Sequence, residues 1–397
     1  MLEPKRFNFF DPAFANDPFP VYAEMRKNAP VAVFEPLGFW TVSRYADVAM
    51  VLKTPQLFSS AGFRPAFEPP WVGVNPGARS MLVMDPPDHT KLRVLVSRAF
   101  GPSFLKRAEA GLRARVEKLA DDMAARDEIE VASEIAVPIT AGVLGDVLGL
   151  DASLHGSFKR WSDDLASITP TPQSPEHEAR VKQSIAEITQ YVASTIAARR
   201  ASPGNDLVSD LCRADVDGEH LSDDELVAFL FLLLVAGLET TVNLVAKSAI
   251  LLAQRDDVMT KLRAEPALVP SFVEEMLRYD PPTHGLFRVT VADTEIAGMP
   301  IRAGTPLMVL LASANRDEAS CPNAEAFELG RQTSGGVAFG HGPHFCVGAG
   351  LARLEAKLML EAMVRRFTRL ELRGPIAWNH TLTVRAPAAV PIKAHRA

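Results

Sequence analysis

The stretch Phe339-Gly340-His341-Gly342-Pro343-His344-Phe345-Cys346-Val347-Gly348 decides the reading of this chain. It runs into a helix pattern that carries Leu351, Leu354, Leu358 and Met363 on its apolar side. Cys346 therefore stands at a helix start, where unpaired amide N–H groups and the helix dipole favour a thiolate over a thiol. Gly342 and Gly348 allow backbone to approach a flat ligand where a Cβ would collide, and Phe339 can shield the sulfur from water. Taken alone, Cys346 reads as an ordinary buried cysteine beside a glycine-rich turn. The coincidence of Phe339, Gly342, His344, Cys346 and Gly348 in one decapeptide points instead to a sulfur held ready as a metal ligand.

The rest of the composition sets the frame. Cys212 and Cys321 are the only other cysteines, too few and too scattered for a disulfide framework or a zinc cluster, and they suit a reducing compartment. With 397 residues, 47% of them apolar and 23% charged, a sizeable buried core is expected and disorder is not. The net charge of -6 argues against nucleic acid as the main partner, since phosphate binding relies on clustered Lys and Arg. No Gly/Ser tract, charge block or repeat marks a boundary, so residues 1–397 are expected to form one domain. Met1 to Pro20 holds four prolines and no apolar core, which predicts a cytoplasmic protein without signal peptide or membrane anchor.

The hydrophobic pattern predicts a mainly α fold with a small β region. A short helix near Val21–Lys27 is followed by strand-like runs at Val31–Phe34 and Phe39–Ser43. Gly62–Met84 has no period and reads as a long loop, in which Phe63, Phe67 and Trp71 favour burial against something. Helix patterns dominate from Thr90 to Leu277, broken by polar stretches at Ser167–Glu178 and Ser202–Asp206; Val289–Leu311 and Thr381–Ile392 read as β.

The longest helix carries the most chemistry. Ser222 and Glu225 form a capping box ahead of an apolar run, Leu226–Leu238, that is shorter than a membrane span. Glu239, Thr240, Thr241, Asn243 and Lys247 follow, so polar groups fall in the middle of a buried helix. Ala236 and Gly237 are small enough for a ligand to pass close by. Thr240 can hydrogen-bond the carbonyl four residues back and open the helix locally, and Glu239 beside it can relay protons. Further along, Glu275 and Arg278 share a helix face as a charge pair.

Three segments, in this order, resemble the signatures of the cytochrome P450 family: Ala236-Gly237-Leu238-Glu239-Thr240-Thr241, Glu275-Met276-Leu277-Arg278, and the loop ending in Cys346-Val347-Gly348. Asn315-Arg316-Asp317 resembles the family's meander, and the likeness covers essentially the whole chain. It implies the family's fold, with a long central helix over a haem b whose iron Cys346 ligates and whose binding involves Phe339 and Gly348. A thiolate in that position promotes cleavage of the O–O bond. It further implies that Glu239 and Thr240 deliver protons, that Glu275 and Arg278 are structural, and that His89, Arg93, Arg288 and His344 hold the haem propionates rather than being surface cations.

The resemblance also implies a substrate pocket built from Phe63, Phe67, Trp71, Leu232, Leu233, Ala236, Gly237, Leu286 and Pro387. His284 either orients a polar group there or packs against its own loop. Most of these residues are apolar, so a hydrophobic small molecule is expected: a fatty acid, terpenoid, steroid or polyketide-type secondary metabolite. No flavin or iron–sulfur segment is visible, so a ferredoxin and a ferredoxin reductase are expected to supply electrons from NAD(P)H. Arg98, Lys106, Arg353 and Lys357 are either a docking patch for the ferredoxin or scattered surface cations. The implied reaction is hydroxylation or epoxidation with one oxygen atom from O2; the alternatives are a peroxide-driven peroxygenase and a non-catalytic haem sensor or electron carrier.

Overall fold

In the computed structural model, which describes residues 3–149, 155–169, 171–332 and 336–397, the chain opens with β1 (Lys5–Asn8), α1 (Pro12–Asn16), α2 (Phe19–Asn28), β2 (Val31–Glu35), β3 (Phe39–Val42), α3 (Tyr45–Lys53) and β4 (Phe58–Ser59). Three short 3₁₀ turns, Ala61–Ala66, Pro76–Arg79 and Met81–Val83, occupy the predicted long loop. A helical middle follows: α4 (Asp88–Ala99), α5 (Pro102–Ala124), α6 (Val137–Leu148) after the short β5 (Glu128–Glu130), α7 (His155–Ala166), α8 (Pro175–Ala201), α9 (Leu207–Cys212), α10 (Asp223–Gln254), α11 (Asp256–Ala264) and α12 (Val269–Tyr279). Strands β6 (Gly285–Thr290), β7 (Thr294–Ile296), β8 (Met299–Ile301) and β9 (Pro306–Leu310) lead through α13 (Leu311–Ala314) to α14 (Ala349–Arg366). The chain closes with β10 (Phe367–Leu372), β11 (Trp378–His380), β12 (Arg385–Pro387) and β13 (Pro391–Arg396). Met1, Leu2 and Pro170, which fall in segments read above, lie outside the described residues.

Helix α10 is the axis of the structure. Its capping box forms as the sequence predicts: Glu225 N–H donates to Ser222 Oγ at 3.3 Å, and Ser222 N–H donates to the Glu225 carboxylate at 2.8 Å. By length and composition α10 is apolar enough to cross a membrane, but it is mostly buried among protein elements, with Leu226, Leu244, Val245 and Ala246 fully covered. A helix apolar on nearly all sides finds its solvent in the core of a large domain. It packs on α6, α7, α8 and α14.

The strands form a six-stranded sheet in the order β1-β2-β3-β9-β6-β4, beside a three-stranded sheet β10-β13-β5. Strand β1 went unread because Lys5–Asn8 is largely exposed and shows no alternation; parallel pairing with β2 is what makes it a strand. In the large sheet Leu286 lies opposite Val309 and Arg288 opposite Leu307, which carries both side chains of β6 up to the glycine-rich loop before α14.

Candidate active site

The loop Phe339–Gly348 is held shut by the amide of Cys346, which donates to the Phe339 carbonyl at 2.9 Å. Helix α14 starts three residues after Cys346, and the amides of Gly348 and Ala349 hydrogen-bond its sulfur. Burial pushes the thiol up; those amides and the charges of Arg93 and Arg353 work the other way, towards thiolate. Cys346 is nonetheless exposed, so the sulfur is presented rather than packed away. Phe339 covers the loop on one side, with the Arg353 guanidinium 4.5 Å over its ring. One reading needs correction. Gly342 does not make room for a ligand: it has φ +68° and a Cβ there would stand 2.5 Å from the Leu52 carbonyl oxygen, so its smallness lets the end of α3 close on the loop. A Cβ at Gly348 would meet only the Cys346 sulfur, at 4.0 Å.

Along its otherwise largely buried length, α10 exposes a narrow stripe. Leu232, Ala236, Glu239 and Thr240 are accessible, whereas Leu234, Leu238 and Thr241 are buried. Thr240 Oγ1 donates to the Ala236 carbonyl at 3.1 Å, as its position predicts, yet the helix runs as unbroken α from Asp223 to Gln254, so the bond does not open a groove by breaking it. Two pocket assignments shift. Leu233 is buried in the core, and Gly237 faces α6, where a Cβ would approach Leu144 Cδ2 to 3.0 Å. The glycine there serves close helix packing.

Four basic side chains converge beside this space. The rings of His89 and His344 lie 4.0 Å apart, and Ser60 Oγ is 3.2 Å from His344 Nε2. Burial and the neighbouring cations hold His344 down to about 3 and lower His89, while burial alone lowers Arg93 and brings Arg288 down to about 10. Among the described residues Asp85 is the acid that faces His89 and Arg288, and its carboxylate is already taken by Ser59 and Ser60. Both ring nitrogens of His89 and Nη2 of Arg288 are buried without a hydrogen-bond partner. A buried imidazole N–H and a guanidinium N–H left without acceptors fit an absent pair of carboxylates. Haem b brings two such propionates, so the residues present fit the group.

The remaining predicted pocket residues are placed unevenly. Leu286 lies against the haem loop, 3.5 Å from where a Gly340 Cβ would be. Pro387 is buried on β12, which packs on α10. Phe67 is half-buried, while Phe63 is stacked flat on Phe287 with centroids 4.4 Å apart, an arrangement that ties the loop to the sheet. The Trp71 indole N–H donates to the Thr169 carbonyl at 2.8 Å and its ring lies beside His177, joining the loop before α4 to the α7–α8 connection. His284 is turned away from a substrate role. Its ring is buried between the Tyr22 hydroxyl, 3.3 Å from Nδ1, and Asp280, 3.2 Å from Nε2.

Glu275 and Arg278 form a buried bidentate pair, both bonds 2.8 Å. Arg278 also donates to the carbonyls of Asn315, Ala324 and Ala326, and Glu275 accepts from Glu328 N–H and from Arg331 Nε at 3.1 Å. Arg331 was missed in the sequence, as were Asp280 and Arg385; Lys247, read only as a polar group within the buried helix, shares the Asp280 carboxylate with Arg385. A lone charge in an apolar stretch, such as Lys247, is the signal that can find such groups. Of the basic patch, Arg353 is bound to Glu274 at 2.5 Å, Lys357 faces Glu361 at 3.8 Å and Arg98 caps the Asp215 carbonyl; Lys106 is exposed.

A cysteine sulfur presented at a helix N-terminus, under a central helix with a hydroxyl and an acid, and beside orphaned cations, defines a haem-thiolate protein. The chain belongs to the cytochrome P450 family. The family model for cytochrome P450 matches residues 152–381. A steroid C26-monooxygenase of Mycobacterium tuberculosis is 38% identical over 352 residues, 88% of this chain and 86% of that one. The structure of CYP109Q5 from Chondromyces apiculatus superimposes with a TM-score of 0.91 at 35% identity, covering 99% of both chains. CYP109E1 from Bacillus megaterium in complex with corticosterone gives 0.86 at 30%, covering 96% of this chain and 99% of that one. The protein is accordingly an oxidoreductase, a haem-thiolate monooxygenase that carries haem b and inserts one oxygen atom from O2 into a hydrophobic small molecule, with electrons from redox partners. The peroxygenase and sensor readings are not favoured.

Proposed function

We propose that this single-domain, cytoplasmic enzyme hydroxylates a hydrophobic molecule of steroid size, with electrons delivered from NAD(P)H by a ferredoxin and its reductase. The observation that carries the reading is the accessible stripe Leu232–Ala236–Thr240, apolar for two turns and then hydroxylic, on the helix facing the Cys346 loop. Steroids are what the matched C26-monooxygenase is named for and what CYP109E1 holds in its complex.

Haem bound at Cys346 supplies dioxygen activation, favoured by thiolate donation. The chain supplies the rest. The amides of Gly348 and Ala349 favour the Cys346 thiolate against burial, which favours the thiol, and Phe339 limits water at the sulfur. His89, Arg93, Arg288 and His344 hold the propionates. Thr240, with its hydroxyl lone pairs free to accept, passes a proton received from Glu239 towards the space above the haem. Leu232, Ala236, Leu286 and Pro387 wall that space with apolar groups that orient substrate. A docking ferredoxin is offered the exposed Val94 and Phe345 on the Cys346 face, with Lys106 nearby on α5.

Titration of the purified haem protein with steroids, fatty acids, terpenoids and macrolides, followed by Soret absorbance, tests the substrate class. A saturable shift with steroids alone supports the proposal. A shift confined to fatty acids or macrolides replaces the substrate class, and reduction by flavodoxin but by no ferredoxin removes the partner.

A further inference from the structure

About two to four turns further along α10 from Thr240, on the same helix face, lies a cleft of about 550 Å³ between α2, the last turns of α10, the end of α12 and β11–β12. That volume is in the range of small-molecule sites. Its wall alternates cations with rings: Lys247, Arg316 and Arg385 with Phe19, Tyr279 and Trp378. The Arg316 guanidinium carbon lies 3.4 Å from the Phe19 ring centroid and 3.8 Å from that of Tyr279, and that of Arg385 lies 3.4 Å over Trp378. Stacking holds each guanidinium flat and orients its N–H fork.

The lining holds three cations and three carboxylates, Asp17, Asp280 and Glu325, and Arg26, outside the lining, draws on one of those carboxylates. Asp280 is shared by Lys247, at 2.7 Å, and Arg385, at 3.2 Å; Glu325 is shared by Arg26, at 2.6 Å, and Arg316, at 3.1 Å. Two carboxylates thus serve four cations, and the third acid, Asp17, stands on the rim. Arg385 Nε is buried without a partner. Burial, only partly offset by Asp280, brings Lys247 down to about 8 and also lowers Arg385, as expected of cations short of counter-charge. Ile250, Leu251 and Met276 complete the wall with apolar surface.

We propose that this cleft is a second ligand site, separate from the haem pocket, that takes a small aromatic carboxylate. The carboxylate meets the Arg316–Arg385–Lys247 wall, and the ring system lies on Trp378 and the apolar side of α10. Arg forks bind carboxylates in this way where water is largely excluded.

The test is calorimetric titration of the haem-loaded protein with 2-naphthoate, with and without a saturating azole that ligates the haem iron. One-site binding unaffected by the azole is expected. The neutral 2-naphthamide and the Arg316→Gln variant should each bind at least tenfold more weakly. Ala23→Phe, which fills the cleft from α2 without touching a charge, should abolish binding while haem spectrum and thermal midpoint stay put. Competition by the azole, equal binding of the amide, undiminished binding to Ala23→Phe, or no heat at millimolar ligand would each overturn the proposal.

Discussion

Thr240 gives its only hydroxyl proton to the carbonyl of Ala236, 3.1 Å away, so its oxygen is left as an acceptor on the accessible face of α10. An oxygen fixed in that way accepts a hydrogen bond from the pocket, and it passes its own proton on only when the O–H turns from the Ala236 carbonyl to the pocket while the oxygen takes a proton from the other side. The bond itself adds little to stability, because the helix is continuous through it. Thr240→Ala is therefore expected to fold, bind haem and consume NAD(P)H, while product per NAD(P)H consumed falls on the order of 10–100-fold. Thr240→Ser should restore most of the coupling. Unchanged coupling in the alanine variant would remove Thr240 from proton delivery.

The cationic cluster makes a prediction about affinity rather than rate. Arg288 keeps one bond, to the Phe287 carbonyl at 2.6 Å, and leaves Nη2 unpartnered. If a propionate takes that donor, Arg288→Gln loses a charge-assisted bond of about 1.5–3 kcal/mol. Haem transfer to an excess of an apo-globin should then speed up roughly 10–100-fold, read as decay of the Soret band. A transfer rate equal to wild type would place the propionates elsewhere.

Chemistry was more legible in the sequence than packing. The Cys346 loop, Glu275–Arg278, and Glu239–Thr240 were read because each needs fixed residue types at fixed short spacing, and local backbone then determines the geometry. Phe63 and His284 were placed in the pocket on position alone; where each ring turned was settled by partners far away in sequence, Phe287 for one and Tyr22 for the other. The same holds for Gly342, whose close neighbour is the Leu52 carbonyl rather than a ligand. Helix ends followed from capping residues, as at Ser222, whereas β1 depends on pairing with β2 that no local pattern encodes.

Arg331 extends the Glu275–Arg278 pair to three members, all largely buried. Removing the carboxylate leaves the buried Arg278 guanidinium without a counter-ion beside Arg331, which keeps only the Glu328 carboxylate, at 3.2 Å. Glu275→Ala is expected to cost about 3–5 kcal/mol, enough to prevent accumulation of folded protein. Arg331→Met removes the bond to Glu275 and those to the carbonyls of Pro322, Asn323 and Ala326 but leaves the pair intact, so a smaller loss, about 1–3 kcal/mol, is expected, measured as a shift in the urea midpoint. Equal losses for the two variants would contradict the hierarchy.

His284 makes stability depend on acid. Burial, with Asp280 pulling the other way, holds its ring down to about 3, below the ordinary 6.5. Because the folded value is depressed, the unfolded chain binds the extra proton between those two values; stability is full above 6.5 and falls as pH drops towards 3. Between pH 6.5 and 5 the wild type should lose about 1.5–2 kcal/mol more than His284→Gln, which has no such proton to take up. Parallel urea-midpoint curves for the two proteins would mean that the native ring already carries its proton.

Gly342 gives the sharpest test of how the thiolate loop is held. Its φ of +68° is open to glycine and costly for alanine, of order 1 kcal/mol or more, and the added Cβ would stand 2.5 Å from the Leu52 carbonyl oxygen. Backbone cannot swing aside as a flexible side chain can, so Gly342→Ala has to move either the end of α3 or the loop that carries His344 and Cys346. The loop is the looser partner, tied by the Cys346 N–H to Phe339 carbonyl and Phe345 N–H to Gly342 carbonyl bonds rather than by a continuous helix. The variant is expected to keep its helical circular dichroism yet lose thiolate ligation in the reduced carbon monoxide complex. Gly340→Ala also has positive φ, +74°, but its Cβ would meet no atom closer than 3.5 Å, so strain alone acts there and a milder loss is expected. If the two alanine variants lose ligation equally, conformation alone governs the loop; a larger loss at position 342 assigns the difference to Leu52.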